Sequence, residues 1–185
     1  GMVVLCPCDA NETETMVKAM VEYKGPCYLR LGRSAVENVT PTIPHYRFEW
    51  GKAAKLREGS DVTIIATGLM VQEGLKAAQL LEAEGKTVRV LDMHTIKPLD
   101  AAAVLDAAKE TGAIVTAEEH NVLGGLGAAV AEVVGESDWR VPVIRLGVED
   151  VFGRSGTAEA LMKHYGLTAQ NLVEKAKLAM SKANR

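Results

Sequence analysis

The residues best equipped for chemistry in this 185-residue chain are two histidines and a run of carboxylates: His94, Glu118, Glu119 and His120. Imidazole and carboxylate together bind borderline cations or pass a proton near neutral pH. Their spacing argues against one convergent site. Neighbouring residues on a strand point to opposite faces, so Glu118, Glu119 and His120 meet only where a strand has already ended. The favoured reading is plainer: His94 and His120 are hydrogen-bonded at strand ends or lie in a contact between subunits.

Anion binding is the other chemistry that these residue types suggest. Gly124-Gly125-Leu126-Gly127 follows a strand pattern and opens a helix pattern, where backbone N–H groups and the helix dipole hold phosphate well. A dinucleotide fingerprint needs a third glycine where this chain has Val130, and it belongs to the first strand-to-helix turn, whereas this turn comes late. The glycines therefore read first as a tight turn with close helix packing, and Gly124 and Gly125 second as an anion or interface site. Gly153 to Thr157 is a further loop before a helix, read as an ordinary N-cap turn. Arg30 and Arg33 close a strand-like segment, where a guanidinium beyond a sheet edge can clamp phosphate. No Gly-x-Ser-x-Gly elbow and no Gly-x-x-x-x-Gly-Lys loop occurs.

The elements that must position these residues are legible from periodicity. Met2 to Cys6 reads as a strand, Asp9 with Glu12 as a helix start, and Met16, Ala19, Met20 and Tyr23 as one helical stripe. Gly25 and Pro26 stop that helix, and Cys27 to Leu31 reads as a second strand. Residues 34–50, with Pro41 and Pro44, read as an extended linker. From Gly51 the pattern predicts strands at 61–67, 88–92, 113–118 and 141–146, and helices at 69–85, 100–111, 126–134, 158–165 and 169–182. This alternation predicts a three-layer αβα domain over 51–185 with a mostly parallel sheet, preceded by a fragment of a second α/β domain over 1–33. In such sheets ligands bind beyond the carboxyl ends of the strands.

Composition narrows the function classes. Lys and Arg number 21 against 24 Asp and Glu, for a net charge of −3, so no clustered positive charge offers itself to nucleic acid or an anionic membrane. No apolar run reaches the roughly 18 residues that a membrane span needs, and a soluble, cytoplasmic protein is expected. Cys6, Cys8 and Cys27 are an odd set without disulfide spacing, as expected in a reducing compartment; Cys6-Pro7-Cys8 without a second pair reads as structural rather than metal-binding. Read unaided, the chain is an α/β domain with candidate anion sites and no identifiable active site.

Several ordered motifs carry a family resemblance. Pro7 to Thr13 (PCDANET), Gly25 to Arg33 (GPCYLRLGR), Asp61 to Gly68 (DVTIIATG), Asp92 to Asp100 (DMHTIKPLD), Glu118 to Gly127 (EEHNVLGGLG) and Phe152 to Gly156 (FGRSG) resemble the thiamine diphosphate dependent transketolase family. The likeness spans nearly the whole chain and is closest to the C-terminal subunit of transketolases encoded as two chains. Deoxyxylulose phosphate synthase and the β subunits of 2-oxo acid dehydrogenases share the pattern.

The resemblance implies the end of a pyrimidine-binding domain over 1–33 and a transketolase C-terminal domain over 51–185. It implies thiamine diphosphate and magnesium in the complete enzyme, with neither bound to this portion, which lacks the Gly-Asp-Gly motif and the activating glutamate of the family. The implied activity is two-carbon ketol transfer between sugar phosphates, in the pentose phosphate pathway, with catalysis absent from this portion alone. The implied partners are an N-terminal diphosphate-binding subunit or domain and a second copy in a homodimer. Arg33 matches the family arginine that contacts the substrate phosphate, Arg30 is the lesser candidate, and Cys6 stands where many relatives have arginine. His94, His120, Gly124 and Gly125 are implied to be structural or interfacial. The competing reading from another class is an association or regulatory module that binds a small anion.

Overall fold

The computed structural model describes residues 1–183, so the last two positions of the expected 51–185 domain lie outside the described residues. The chain opens with strand β1 (Val3–Leu5), helix α1 (Ala10–Glu22) and strand β2 (Cys27–Leu29). Asp9 starts α1 as an N-cap: its backbone is extended and its side chain accepts from the Glu12 N–H at 2.7 Å. Glu12 reaches back and accepts from the Cys8 N–H at 2.7 Å, a capping box displaced by one residue. The helical stripe puts Met16 with Val3 and Leu5, and Phe48 and Trp50 pack against this small core.

Residues 34–50 are not an extended spacer. They carry a 3₁₀ turn at Thr40–Thr42, and the Val39 and Thr40 N–H groups donate to Asp9 Oδ2 at 2.9 and 2.7 Å. The sequence shows the prolines but not this acceptor, since Asp9 reads locally as a helix cap and nothing more. Aromatic contacts reinforce the return: Trp50 stacks on Tyr23 at a centroid distance of 4.9 Å and meets Phe48 edge-on at 5.1 Å.

The larger sheet follows. Its strands are β3 (Ala54–Arg57), β4 (Val62–Ala66), β5 (Val88–Asp92), β7 (Ile114–Asn121) and β8 (Val143–Val148), and the intervening β6 (Thr95–Lys97) belongs to the small sheet. The spatial order is β3-β5-β4-β7-β8, all parallel except β3, and the small sheet runs β2-β1-β6. Every residue of β4 and β5 is buried, as a sheet covered on both faces requires. Helices α2 (Met70–Ala83) and α6 (Ala169–Ala183) cover one face, and α3 (Ala101–Thr111) and α4 (Leu126–Gly135) cover the other. Ile64 packs in the first core and Ile65 in the second, each fully buried and worth roughly 1.5–3 kcal/mol. The short α5 (Ala158–His164) lies beside the carboxyl ends of the strands and is capped by Thr157. The three-layer αβα arrangement expected from the alternating pattern is the one observed.

Candidate functional site

The small sheet sits on the carboxyl ends of the large one. Cys6 N donates to the His94 carbonyl at 2.8 Å, and the Thr67 hydroxyl donates to the Cys6 carbonyl at 3.2 Å. Strand β6, which leaves the large sheet after β5, then pairs antiparallel with β1. The residues just past β1 and β2 therefore face those just past β4, β5 and β7, where open parallel sheets hold their ligands.

Two hollows lie along this junction. A cavity of about 200 Å³ is lined by Cys6, Arg30, Thr67, Glu118, His120 and Gly125, among others. A larger cleft of about 620 Å³ is lined by Arg33, Ser34, Glu119, Gly156, Thr157 and Tyr165, among others. The structure thus brings Arg33 to the same cleft as the end of the Gly153–Thr157 loop. Arg33 is exposed and makes no ion pair among the described residues. Thr157 itself serves as the N-cap of α5, accepting from the Ala160 N–H.

Arg30 is placed differently. Its Nη2 donates to the Glu119 carbonyl at 2.5 Å, and Nη1 lies 4.0 Å from the Cys6 sulfur, so the guanidinium ties the end of β2 to the end of β7. Burial pushes the Cys6 thiol up, which keeps it protonated and unreactive.

The glycine turn before α4 already holds an anion, and that anion is a side chain. Glu118 is buried, and its two carboxylate oxygens accept from the Leu126 N–H at 2.7 Å and the Gly127 N–H at 2.8 Å. A Cβ on Gly125 would collide with Glu118 Oε2. An external phosphate at Gly124 and Gly125 would have to displace a carboxylate seated on the helix N-terminus; close packing accounts for the glycine at 125, and a φ of +73° for the one at 124. A diphosphate does not fit this turn for the same reason. The sequence shows the turn but not its occupant, because a glutamate in a strand carries no mark of which way it folds back.

The histidines separate. His94 is buried, its Nδ1 lies 2.9 Å from the Thr95 hydroxyl, and its ring is 5.0 Å from that of Phe48. Burial pulls its pKa down to about 4, against a smaller upward pull from Asp100, so the ring is neutral at pH 7. His120 is on the same face of β7 as Glu118, with Nδ1 3.9 Å from Glu118 Oε2, and that nitrogen lies 2.8 Å from the Asn121 carbonyl.

One cluster escapes the sequence reading. Sγ of Cys8 and a carboxylate oxygen from each of Glu12 and Asp92 lie within 4.8 Å of one another, and all three residues are buried. Glu12 also accepts from the Tyr46 hydroxyl, whereas both oxygens of Asp92 lack a donor. These are the only three described residues whose donor atoms gather closely enough to surround a cation. Glu12 reads in the sequence as half of a capping box and Asp92 as the last residue of a strand. Only the docking of the two sheets makes them neighbours.

Comparison with known proteins gives the arrangement its family. The family model of the transketolase C-terminal domain matches residues 51–172. The 6-deoxy-6-sulfo-D-fructose transketolase subunit SqwH of Clostridium sp. is 44% identical over 95% of the chain and 54% of its own length. An apulose-4-phosphate transketolase subunit of Phocaeicola vulgatus is 42% identical over 95% of the chain and 55% of its own length. A solved split-gene transketolase, described as an inactive β4 tetramer, superposes with a TM-score of 0.89 at 48% identity, over 97% of this chain and 57% of that one. The chain thus spans a little more than half the length of these relatives. With its C-terminal domain matched from ahead of strand β3 into α6 and its whole length similar to transketolase subunits, the chain belongs to the transketolase family.

Proposed function

We propose that this chain is the C-terminal portion of a transketolase subunit, and that it contributes to the assembled enzyme a scaffold and a cationic grip, Arg33, for the phosphate of a sugar phosphate. The observation that carries this reading is the position of Arg33: an exposed guanidinium without an ion pair among the described residues, on the wall of a cleft of about 620 Å³ at the sheet junction. A phosphate entering there gains a charge-assisted hydrogen bond without first breaking one. Arg30, spent on the Glu119 carbonyl, holds the wall in place.

In this reading thiamine diphosphate and magnesium belong to the rest of the enzyme and supply the two-carbon carrier chemistry there. The partner is a diphosphate-binding subunit, and the enzyme is a cytoplasmic assembly built around a dimer. The subunit names of the 44% and 42% identical relatives support a two-chain enzyme, and the inactive β4 tetramer of the split-gene neighbour fits a subunit that needs its partner. The names of those relatives point to different sugars, so the substrate is proposed only as a phosphorylated or similarly anionic ketose.

Reconstitution tests this reading. The subunit carrying this chain, mixed with a diphosphate-binding partner subunit, thiamine diphosphate and magnesium, is expected to transfer a ketol unit between sugar phosphates. Turnover by residues 1–185 alone, with only cofactor and metal added, would contradict it.

A further inference from the structure

The cluster at the sheet junction poses a charge problem. Asp92 is fully buried at the end of β5, with no hydrogen-bond donor to either oxygen, and it faces Glu12, which is also fully buried. Two adjacent carboxylates in a dry site repel each other and forfeit their hydration. None of the titratable groups that face them brings a positive charge. Cys8 and Asp9 come from the loop before α1, Tyr46 from the 34–50 segment, and Cys6 lies beyond, with the Arg30 guanidinium beside its sulfur and bonded to the Glu119 carbonyl.

The donors that are present suffice for one negative charge but not for two. Glu12 accepts from the Cys8 N–H and from the Tyr46 hydroxyl, which is the pattern of an ionised carboxylate. Asp92 accepts nothing, and a carboxylic acid that donates is the form that needs no donor. We propose that Glu12 and Asp92 share a single proton, and that this acid pair is a latch joining α1 to β5, and so the small sheet to the large one. Burial drives both carboxyls upward, each resisting ionisation beside the other, and burial likewise pushes the Cys8 thiol up, so that the sulfur remains a thiol and a poor metal ligand.

The linkage has a definite sign. In the unfolded chain both carboxyls ionise above about pH 4. The folded chain keeps one proton to a higher pH, so it binds one proton more than the unfolded chain over that interval, and the latch weakens as pH rises toward the folded pKa. One retained proton makes the folding constant fall about tenfold per pH unit.

Asp92→Asn tests this, because the amide donates permanently where the acid donates only while protonated. Urea unfolding of both proteins between about pH 5 and 9 is expected to show the variant gaining on the native chain by up to about tenfold in folding constant per pH unit, over at least part of that range. Parallel profiles would overturn the proposal. The native chain gives a second readout independent of whether the variant folds. Its infrared spectrum at pH 7 is expected to contain the C=O band of a protonated carboxyl, and the absence of that band would overturn the proposal. One divalent ion per chain, surviving dialysis against chelator and found by elemental analysis, would likewise overturn it and turn the same three side chains into a metal site.

Discussion

Arg30 Nη2 and the carbonyl oxygen of Glu119 lie 2.5 Å apart, and this bond fastens the strand that leads to Arg33 to the central region of the large sheet. With a main-chain acceptor on Nη2, Arg30 ties the ends of these two strands together. Arg30→Met is expected to lower stability by about 1.5–3 kcal/mol, the usual range for a hydrogen bond to a charged group. Equilibrium unfolding in urea measures it, and a change below about 0.5 kcal/mol, within the scatter of ordinary surface substitutions, would show that the bond does not hold in solution.

The two glycines before α4 should respond differently to alanine. Gly125 has a φ of −99°, open to any residue, but its Cβ would collide with Glu118. Gly124 has a φ of +73° and nothing within 4 Å of the added carbon. Gly125→Ala is therefore expected to cost roughly 2–4 kcal/mol, through displacement of the capping carboxylate and overpacking. Gly124→Ala is expected to cost about 1 kcal/mol, from left-handed backbone strain alone. Paired thermal unfolding curves check the order, and equal losses would mean that Glu118 is not seated as observed.

His94 sets a pH dependence of the opposite sense to the shared carboxyl pair. Its pKa falls from the ordinary 6.5 to about 4 in the folded chain, so the unfolded chain takes up a proton first as pH drops. The stability that neutral His94 contributes is complete above about pH 6.5 and is lost between there and about pH 4, to the extent of roughly 3 kcal/mol. His94→Asn is expected to flatten the acid limb of the unfolding midpoint plotted against pH, from about 7 to 4.5. An unchanged limb would place the titration elsewhere.

Much of the architecture is legible in the sequence because its signals are local. Asp9, Asp100 and Thr157 each cap a helix within three residues of the N–H they accept from, so a window of sequence contains both partners. Strands β4 and β5 announce themselves through their β-branched residues, Val62, Ile64 and Ile65 in one and Val88 and Val90 in the other. The edge strands β3 and β6 do not: Ala54–Arg57 and Thr95–Lys97 are only 4 and 3 residues long, rich in polar residues, and exist because β5 and β1 offer them a ladder. The site divides in the same way. Arg33 stands out only through family resemblance, since its spacing alone describes a solvated arginine. Glu118 beneath the glycine turn and Asp92 against Glu12 depend on how a side chain turns or how two sheets dock, and no periodicity encodes either.

The central claim, that this chain grips substrate phosphate through Arg33, is tested most directly by steady-state kinetics of the reconstituted two-subunit enzyme carrying Arg33→Ala. The expected result is a KM raised by about tenfold or more for a phosphorylated ketose donor, as the loss of one charge-assisted contact implies, with KM for an unphosphorylated donor unchanged. Equal effects on the two donors, or none on either, would contradict it.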